Sequence, residues 1–240
     1  MNNISIEEAI YPVVMKAVQD DITSIDTDAM INSANSAMLL GGTISVASRI
    51  NELTGGRLQS ILDNDEDYPK PVPLGKVCVT ESDELPCNLV FHLATHGNMQ
   101  EMVDAANKLG DKEELADRLQ RVIINTINKG VENILRECEE RRLKRMTIPL
   151  IGSGSLNLPK FLSIEALVGS LTGQLLETPP QYLREINIVT IEEPIFGFLK
   201  VYLENLEIDV SSIHRPDSES SEDNPSLVSS KIESGELIIE

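Results

Sequence analysis

Between two short apolar runs, Leu89–Thr95 (LVFHLAT) and Arg145–Ile151 (RMTIPLI), apolar side chains fall at Leu115, Leu119, Val122, Ile123, Ile127, Val131, Ile134, Leu135 and Cys138. That three-and-four spacing predicts one long amphipathic helix over Glu113–Glu139. Further strand-like runs lie at Val13–Val18, Asp28–Asn32, Lys76–Thr80 and Glu185–Ile191. Helical patterns follow the Gly41–Gly42 pair (ISVASRINEL), Pro159 (FLSIEALVGSLTGQLL) and the last strand (FGFLKVYLENL). Strands separated by helices imply a largely parallel sheet covered on both faces. LDNDEDYPKPVP and HGNMQEMVDAANKLGD read as surface loops or lids.

The alternation stops near residue 206. From there to residue 240 the chain holds nine acidic and two basic side chains and many serines. Such a segment offers too little apolar surface to offset its ordering entropy, which predicts a disordered acidic tail. Its final GELIIE is the one piece able to dock as a short strand. The expected organisation is a 1–12 extension, a 13–205 domain and a 206–240 tail.

Charge limits the partners. A formal net charge of -19 repels phosphate backbones, so neither nucleic acid nor a membrane is expected. The basic cluster ERRLKR sits beside ECEE and reads as a helix end. A basic protein is the natural partner for the acidic tail. Three cysteines make no disulfide framework, no apolar stretch reaches membrane-span length, and the N-terminus has no signal-peptide pattern. The expectation is a cytoplasmic protein without a cofactor. Cys78, Cys87, His92 and His96 invite a zinc reading, but their spacing is loose and no metal site is assigned.

In open α/β sheets ligands bind beyond the carboxyl ends of the strands. Three loops fit that place: QDDITSIDT, NSANSAMLLGGT and IGSGSLNLP. Gly41 and Gly42 permit close backbone approach and a positive φ. The helix after them turns free N–H groups towards the loop, which favours an anion. Gly152–Ser155 can form a second nest of donors. Asn32 and Asn35 suit a sugar hydroxyl, and Asp21 can accept from an exocyclic amine. Each also has a plain reading: a Gly-Gly turn, a flexible GSG connection, an aspartate cap, an Asx turn.

Together these loops resemble the macrodomain family of ADP-ribose-binding modules. The matching elements are DDIT (Asp20–Thr23), TDAMINSAN (Thr27–Asn35), LLGGTI (Leu39–Ile44), PLGKVCVT, LVFHLAT and PLIGSGSLNLP (Pro149–Pro159), collinear over roughly residues 13–205. The resemblance implies a three-layer α/β/α fold with a mixed, mostly parallel six-stranded sheet and an ADP-ribose cleft at the strand ends. It implies Asp21 on the adenine amino group and the Ile22 amide on the ring. It also places Asn35 at the distal ribose with Asn32 nearby. Gly41, Gly42, Thr43 and Ile44 would lie beside that ribose and the phosphates, and the backbone of Gly152, Ser153, Gly154, Ser155 and Leu156 around the pyrophosphate.

The departures bear on chemistry. Asp20 replaces a glycine, and Leu40 and Thr43 stand where the family has glycines close to the ligand. Hydrolytic members carry an aspartate at the position of Ser45, and some a histidine at that of Arg49. An arginine stays cationic and takes no proton. The stacking aromatics fall at Leu156 and near Ile191, with Phe196 or Phe198 as substitutes. The sequence therefore predicts an ADP-ribose binding module with no catalytic residue assigned. The alternatives are an ADP-ribosyl hydrolase with a rearranged site and a scaffold that has lost nucleotide binding.

Overall fold

The computed structural model describes residues 12–41, 45–110, 114–206, 230–233 and 236–239. Its strands are β1 Val13–Gln19, β2 Thr27–Asn35, β3 Val77–Glu81, β4 Cys87–His96, β5 Arg145–Pro149, β6 Glu185–Thr190, β7 Ser230–Glu233 and β8 Glu236–Ile239. Its α-helices are α1 Val46–Leu53, α2 Arg57–Asn64, α3 Met99–Asn107, α4 Leu115–Glu140, α5 Lys160–Glu177 and α6 Glu193–Glu204.

The sheet order is β3-β4-β2-β5-β6-β1-β8-β7. The first six strands form the mixed sheet expected from the sequence: β4, β2, β5, β6 and β1 run parallel, and β3 is antiparallel. One apolar cluster joins Ile31, Phe91, Ile148 and Ile186 of the sheet to Ile127 and Ile134 of α4, Leu167 of α5 and Leu199 of α6. The other joins Met30, Val90 and Val189 to Ile50 of α1 and Leu58 and Leu62 of α2. Alternate residues of one strand serve opposite clusters, as the strand period requires. The result is a three-layer α/β/α sandwich.

Parallel pairing puts the carboxyl ends of β1, β6, β5, β2 and β4 on one edge. Only Asp20–Asp26 joins β1 to β2. Seven residues span at most about 24 Å, so this segment returns directly across the sheet. Its one-turn 3₁₀ helix, Ile22–Ser24, buries Ile22 in the second cluster. Its far end is tied down where Arg145 Nη1 meets Asp26 Oδ2 at 2.9 Å. Asp28 Oδ2 accepts from the Lys144 and Arg145 amides at 2.7 and 2.9 Å. Asp28 therefore clamps the sheet at the end opposite the ligand-side loops.

Three expectations change. The stretches read as loops contain helix: α3 lies inside HGNMQEMVDAANKLGD, and α2 ends within LDNDEDYPKPVP. The tail is not structureless at its end: β8 pairs antiparallel with β1, Val13 opposite Ile239, and β7 pairs with β8. The other tail residues and positions 1–11 lie outside the described residues.

Candidate functional site

The late loop, between β5 and α5, begins at Gly152 with φ +89. A side chain there would meet Ile123 and Leu158 at 3.2 and 3.3 Å, so glycine is required by both conformation and space. The loop closes on itself: the Leu158 amide donates to Gly152 O at 3.0 Å and the Asn157 amide to Gly154 O at 2.9 Å. Ser153 Oγ donates to Leu150 O at 2.8 Å, and Ser163 Oγ of α5 to Ile151 O at 2.7 Å. Between these ties, the N–H groups of Ser153, Gly154, Ser155 and Leu156 donate to no acceptor among the described residues. Consecutive free amides in a turn form a nest for an anion. Leu156 packs its side chain on the main core, leaving its amide as its contribution.

The first loop follows β1. Asp21 Oδ1 caps the 3₁₀ turn, accepting from Thr23 N at 2.9 Å and Thr23 Oγ1 at 2.8 Å. Its Oδ2 and the Ile22 amide have no partner among the described residues, so one carboxylate oxygen and one donor remain for a ligand. Asp20 Oδ1 accepts from the Asp21 amide and Ser24 Oγ, at 2.7 and 3.0 Å.

The early loop, after β2, is occupied with its own structure. Asn35 faces Leu39 with both halves of its amide: Oδ1 accepts from Leu39 N at 3.2 Å, and Nδ2 donates to Leu39 O at 3.4 Å. Leu40, expected to crowd the phosphate path, turns the other way. It is fully buried in the second cluster, and its amide donates to Gln59 Oε1 at 2.6 Å. Gly41 is exposed, and nothing lies within 4 Å of the side chain it lacks. Gly42, Thr43 and Ile44 lie outside the described residues. Ser45 is the N-cap of α1, paired reciprocally with Ser48: Ser45 Oγ accepts from Ser48 N at 3.1 Å, and Ser48 Oγ from Ser45 N at 2.9 Å. Arg49 pairs with Glu52 at 2.8 Å.

Asn32 is corrected by its burial. It shares a sheet face with Met30 and Ala34, is fully buried, and its Nδ2 lies 3.2 Å from His92 Nδ1. His92 Nε2 lies 2.9 Å from Thr80 Oγ1. Both ring nitrogens are thus engaged, and burial pulls the imidazole pKa down to about 3. The chain Asn32–His92–Thr80 ties β2, β4 and β3 inside the core. Burial also pushes the Cys78 thiol up to about 12 and Cys87 up to about 11, so both stay protonated at neutral pH. The described residues hold no group of three His, Cys, Asp or Glu placed for a metal.

Ile191, at the end of β6, is 73% exposed and carries no ring to stack. Phe198 pairs with Tyr202, ring centroids 6.3 Å apart along α6. Phe196 is half-buried in the first turn of α6, the helix that follows β6. One polar group escaped the sequence reading: His96, last residue of β4, considered there only as a metal ligand. Its place four residues after the strand histidine, at the strand's carboxyl end, was the available signal.

A three-layer α/β/α domain with an anion-cradling loop beyond its parallel strands is the class defined by this geometry. The chain belongs to the Macro domain family, whose sequence model matches residues 31–167. An uncharacterised protein of Sulfurisphaera tokodaii is 28% identical over 159 residues, 65% of this chain and 73% of its own. Among solved structures, the Trypanosoma brucei macrodomain in complex with ADP-ribose superposes with a TM-score of 0.59 at 17% identity, over 77% of this chain and 67% of that one. The Oceanobacillus iheyensis macrodomain with ADP gives 0.60 at 18%, over 80% and 96%. At such identities the likeness shows a shared fold.

Proposed function

We propose that the protein binds ADP-ribose, or an ADP-ribosyl group on another molecule, in the cleft beyond β1, β5 and β2. The observation that carries this reading is the run of four free amides, Ser153–Leu156, in a loop whose shape depends on Gly152. A pyrophosphate is the anion that answers consecutive N–H donors at a strand end. Asp21 Oδ2 and the Ile22 amide, one acceptor beside one donor, suit the edge of an adenine. Relatives of this fold have been seen with ADP-ribose and with ADP.

The aspartate that hydrolytic relatives carry at the head of the first helix is Ser45 here. Its hydroxyl is committed to capping α1. The usual route from binding to chemistry is closed at that position. Of the three residues behind the scaffold alternative, Leu40 and Leu156 pack their side chains on the apolar clusters, and Thr43 lies outside the described residues.

Calorimetry with ADP-ribose on the full chain tests the reading, with Asp21→Asn as the control. The asparagine keeps an oxygen for the Thr23 cap but turns the free oxygen into a donor. The parent binds, and the variant weakens by about 10- to 100-fold, as for a hydrogen bond to a charged group. No heat from the parent at millimolar ADP-ribose would remove the reading.

A further inference from the structure

Helix α6 is apolar on two sides. Ile195, Leu199 and Leu203 pack on the main core. Pro194, Phe198 and Val201, at i, i+4 and i+7, share the outward side, where Phe198 is 47% and Val201 56% exposed. Glu193, Lys200 and Glu204 are confined to a third side. A surface helix ordinarily turns one apolar stripe inward and a polar face outward, and a helix apolar on further sides is a covered one.

Helix α5 lies beside it. Both follow parallel strands, β5 and β6, so they run in the same direction, and the Lys160–Glu192 ion pair joins their N-terminal ends. Further along, burial and the nearby Glu165 carboxylate raise the pKa of the Tyr202 phenol, which sets α5 against that flank of α6. α5 adds Phe161, 56% exposed, and Gly169 and Gly173, where nothing lies within 4 Å of the missing side chains. Three of the chain's four phenylalanines thus stand on these two helices, and none of the three is fully buried. Exposed apolar surface of this kind marks an interaction site, and aromatic side chains are the ones that anchor a partner.

Charge selects the occupant. Both cations on this face are already paired, Lys160 with Glu192 and Lys200 with Glu204. Glu165, Glu177 and Glu193 are exposed and have no ion-pair partner among the described residues. A second copy would set these carboxylates against their like, on a chain of net charge -19. An anionic membrane surface is repelled for the same reason.

We propose that the outer face of α5 and α6 docks a basic amphipathic helix of a partner protein. Its apolar stripe lies on Phe161, Phe198 and Val201, and its Lys or Arg residues meet Glu165, Glu177 and Glu193. Two helices running side by side offer the groove that an amphipathic helix fills, and the open glycines let its backbone come close. This is the outer side of the helix layer, so docking here does not depend on ADP-ribose in the strand-end cleft.

The test uses the full chain and a fluorescent synthetic helix of about five turns, with Leu and Phe on one face and Lys on the other. One control peptide has Glu for every Lys. Another keeps the composition but scatters the apolar residues round the helix, which separates this face from the acidic tail that any cationic peptide can meet. The first peptide binds, and both controls bind at least about tenfold more weakly. Phe198→Ser combined with Val201→Ser weakens the first peptide by about tenfold or more and, since both side chains are exposed, keeps the parent's thermal midpoint. Phe161→Ser, on the other helix, gives a second and separate loss of affinity. No binding by the parent, equal binding of the scattered peptide, or unchanged binding by both variants overturns the proposal. So does a dimer of the parent in sedimentation that the double variant abolishes, which would make a second copy the occupant. Capture of the parent but not of the double variant by phosphatidylserine vesicles would make the occupant a membrane and overturns it as well.

Discussion

The late loop and the early loop both stand at the carboxyl ends of neighbouring strands, yet they spend their hydrogen bonds in opposite ways. The late loop leaves four consecutive amides without an acceptor among the described residues and holds its shape with Gly152 and four ties beneath. The early loop uses Asn35 on Leu39, the Leu40 amide on Gln59 and Ser45 on Ser48. Free donors at a strand end are unfavourable unless solvent or a ligand reaches them. Satisfied donors hold backbone in place. On the proposed binding reading, the late loop receives the anion and the described part of the early loop frames it.

The largest effect should come from Leu40. It is fully buried among side chains that include Met38, Leu58 and Leu62. Leu40→Ala should cost about 2–5 kcal/mol in a denaturant titration. If Leu40 instead pointed into the cleft, the variant would be near neutral in stability and would bind ADP-ribose more tightly, which would reverse the assignment of the two loops.

Gly152→Ala comes next. The alanine must adopt φ +89 and fit its Cβ 3.2 Å from Ile123. A stability loss of about 1–2 kcal/mol is expected, together with roughly tenfold weaker ADP-ribose binding as the nest distorts. Weaker binding with unchanged stability would sharpen the comparison further. Unchanged binding despite lost stability would show that the free amides are not the anion site.

Part of this was legible in the sequence because the period of apolar residues reports burial directly. The long helix α4 and the six strands of the domain follow from it, and the Gly-Ser loop marked the nest. What escaped depends on partners distant in sequence. α2 and α3 are short and polar-rich; the end of α2 and all of α3 read as loops until Leu62 and Met102 are seen to be buried. β8 takes the strand state that GELIIE allowed, but its partner, the edge of β1, is not encoded in the acidic composition of the tail. Asn32 was misread although parity could have placed it: it shares a face with Met30 and Ala34, whereas Asn35 has the opposite parity. The direction of Leu40 cannot be read locally, since a glycine-rich turn can send that side chain to either side.

Ser45→Ala separates capping from chemistry. Removal of the N-cap hydroxyl should cost about 1 kcal/mol and change ADP-ribose affinity by less than threefold, measured by thermal unfolding and calorimetry. Ser45→Asp keeps a capping oxygen and should hold stability within about 0.5 kcal/mol of the parent. It also restores the carboxylate of hydrolytic relatives at that position. Release of ADP-ribose from an ADP-ribosylated peptide by that variant, beyond any release by the parent, would show that the early loop is a wall only because its acid is missing.

Arg49 gives the smallest expected effect and the sharpest check on the early loop. It is the one cation in the first turn of α1, and a pyrophosphate nearby would attract it. In this structure it is paired with Glu52 three residues on, and both side chains are substantially exposed. Exposed pairs of this kind contribute about 0–1 kcal/mol. Arg49→Ala should therefore leave stability within about 0.5 kcal/mol and the Kd for ADP-ribose within about twofold. A tenfold loss of affinity, steepened at low salt, would mean that Arg49 leaves Glu52 for the phosphates when ligand arrives. The early loop would then supply charge as well as shape, and the division between a receiving loop and a framing loop would fail.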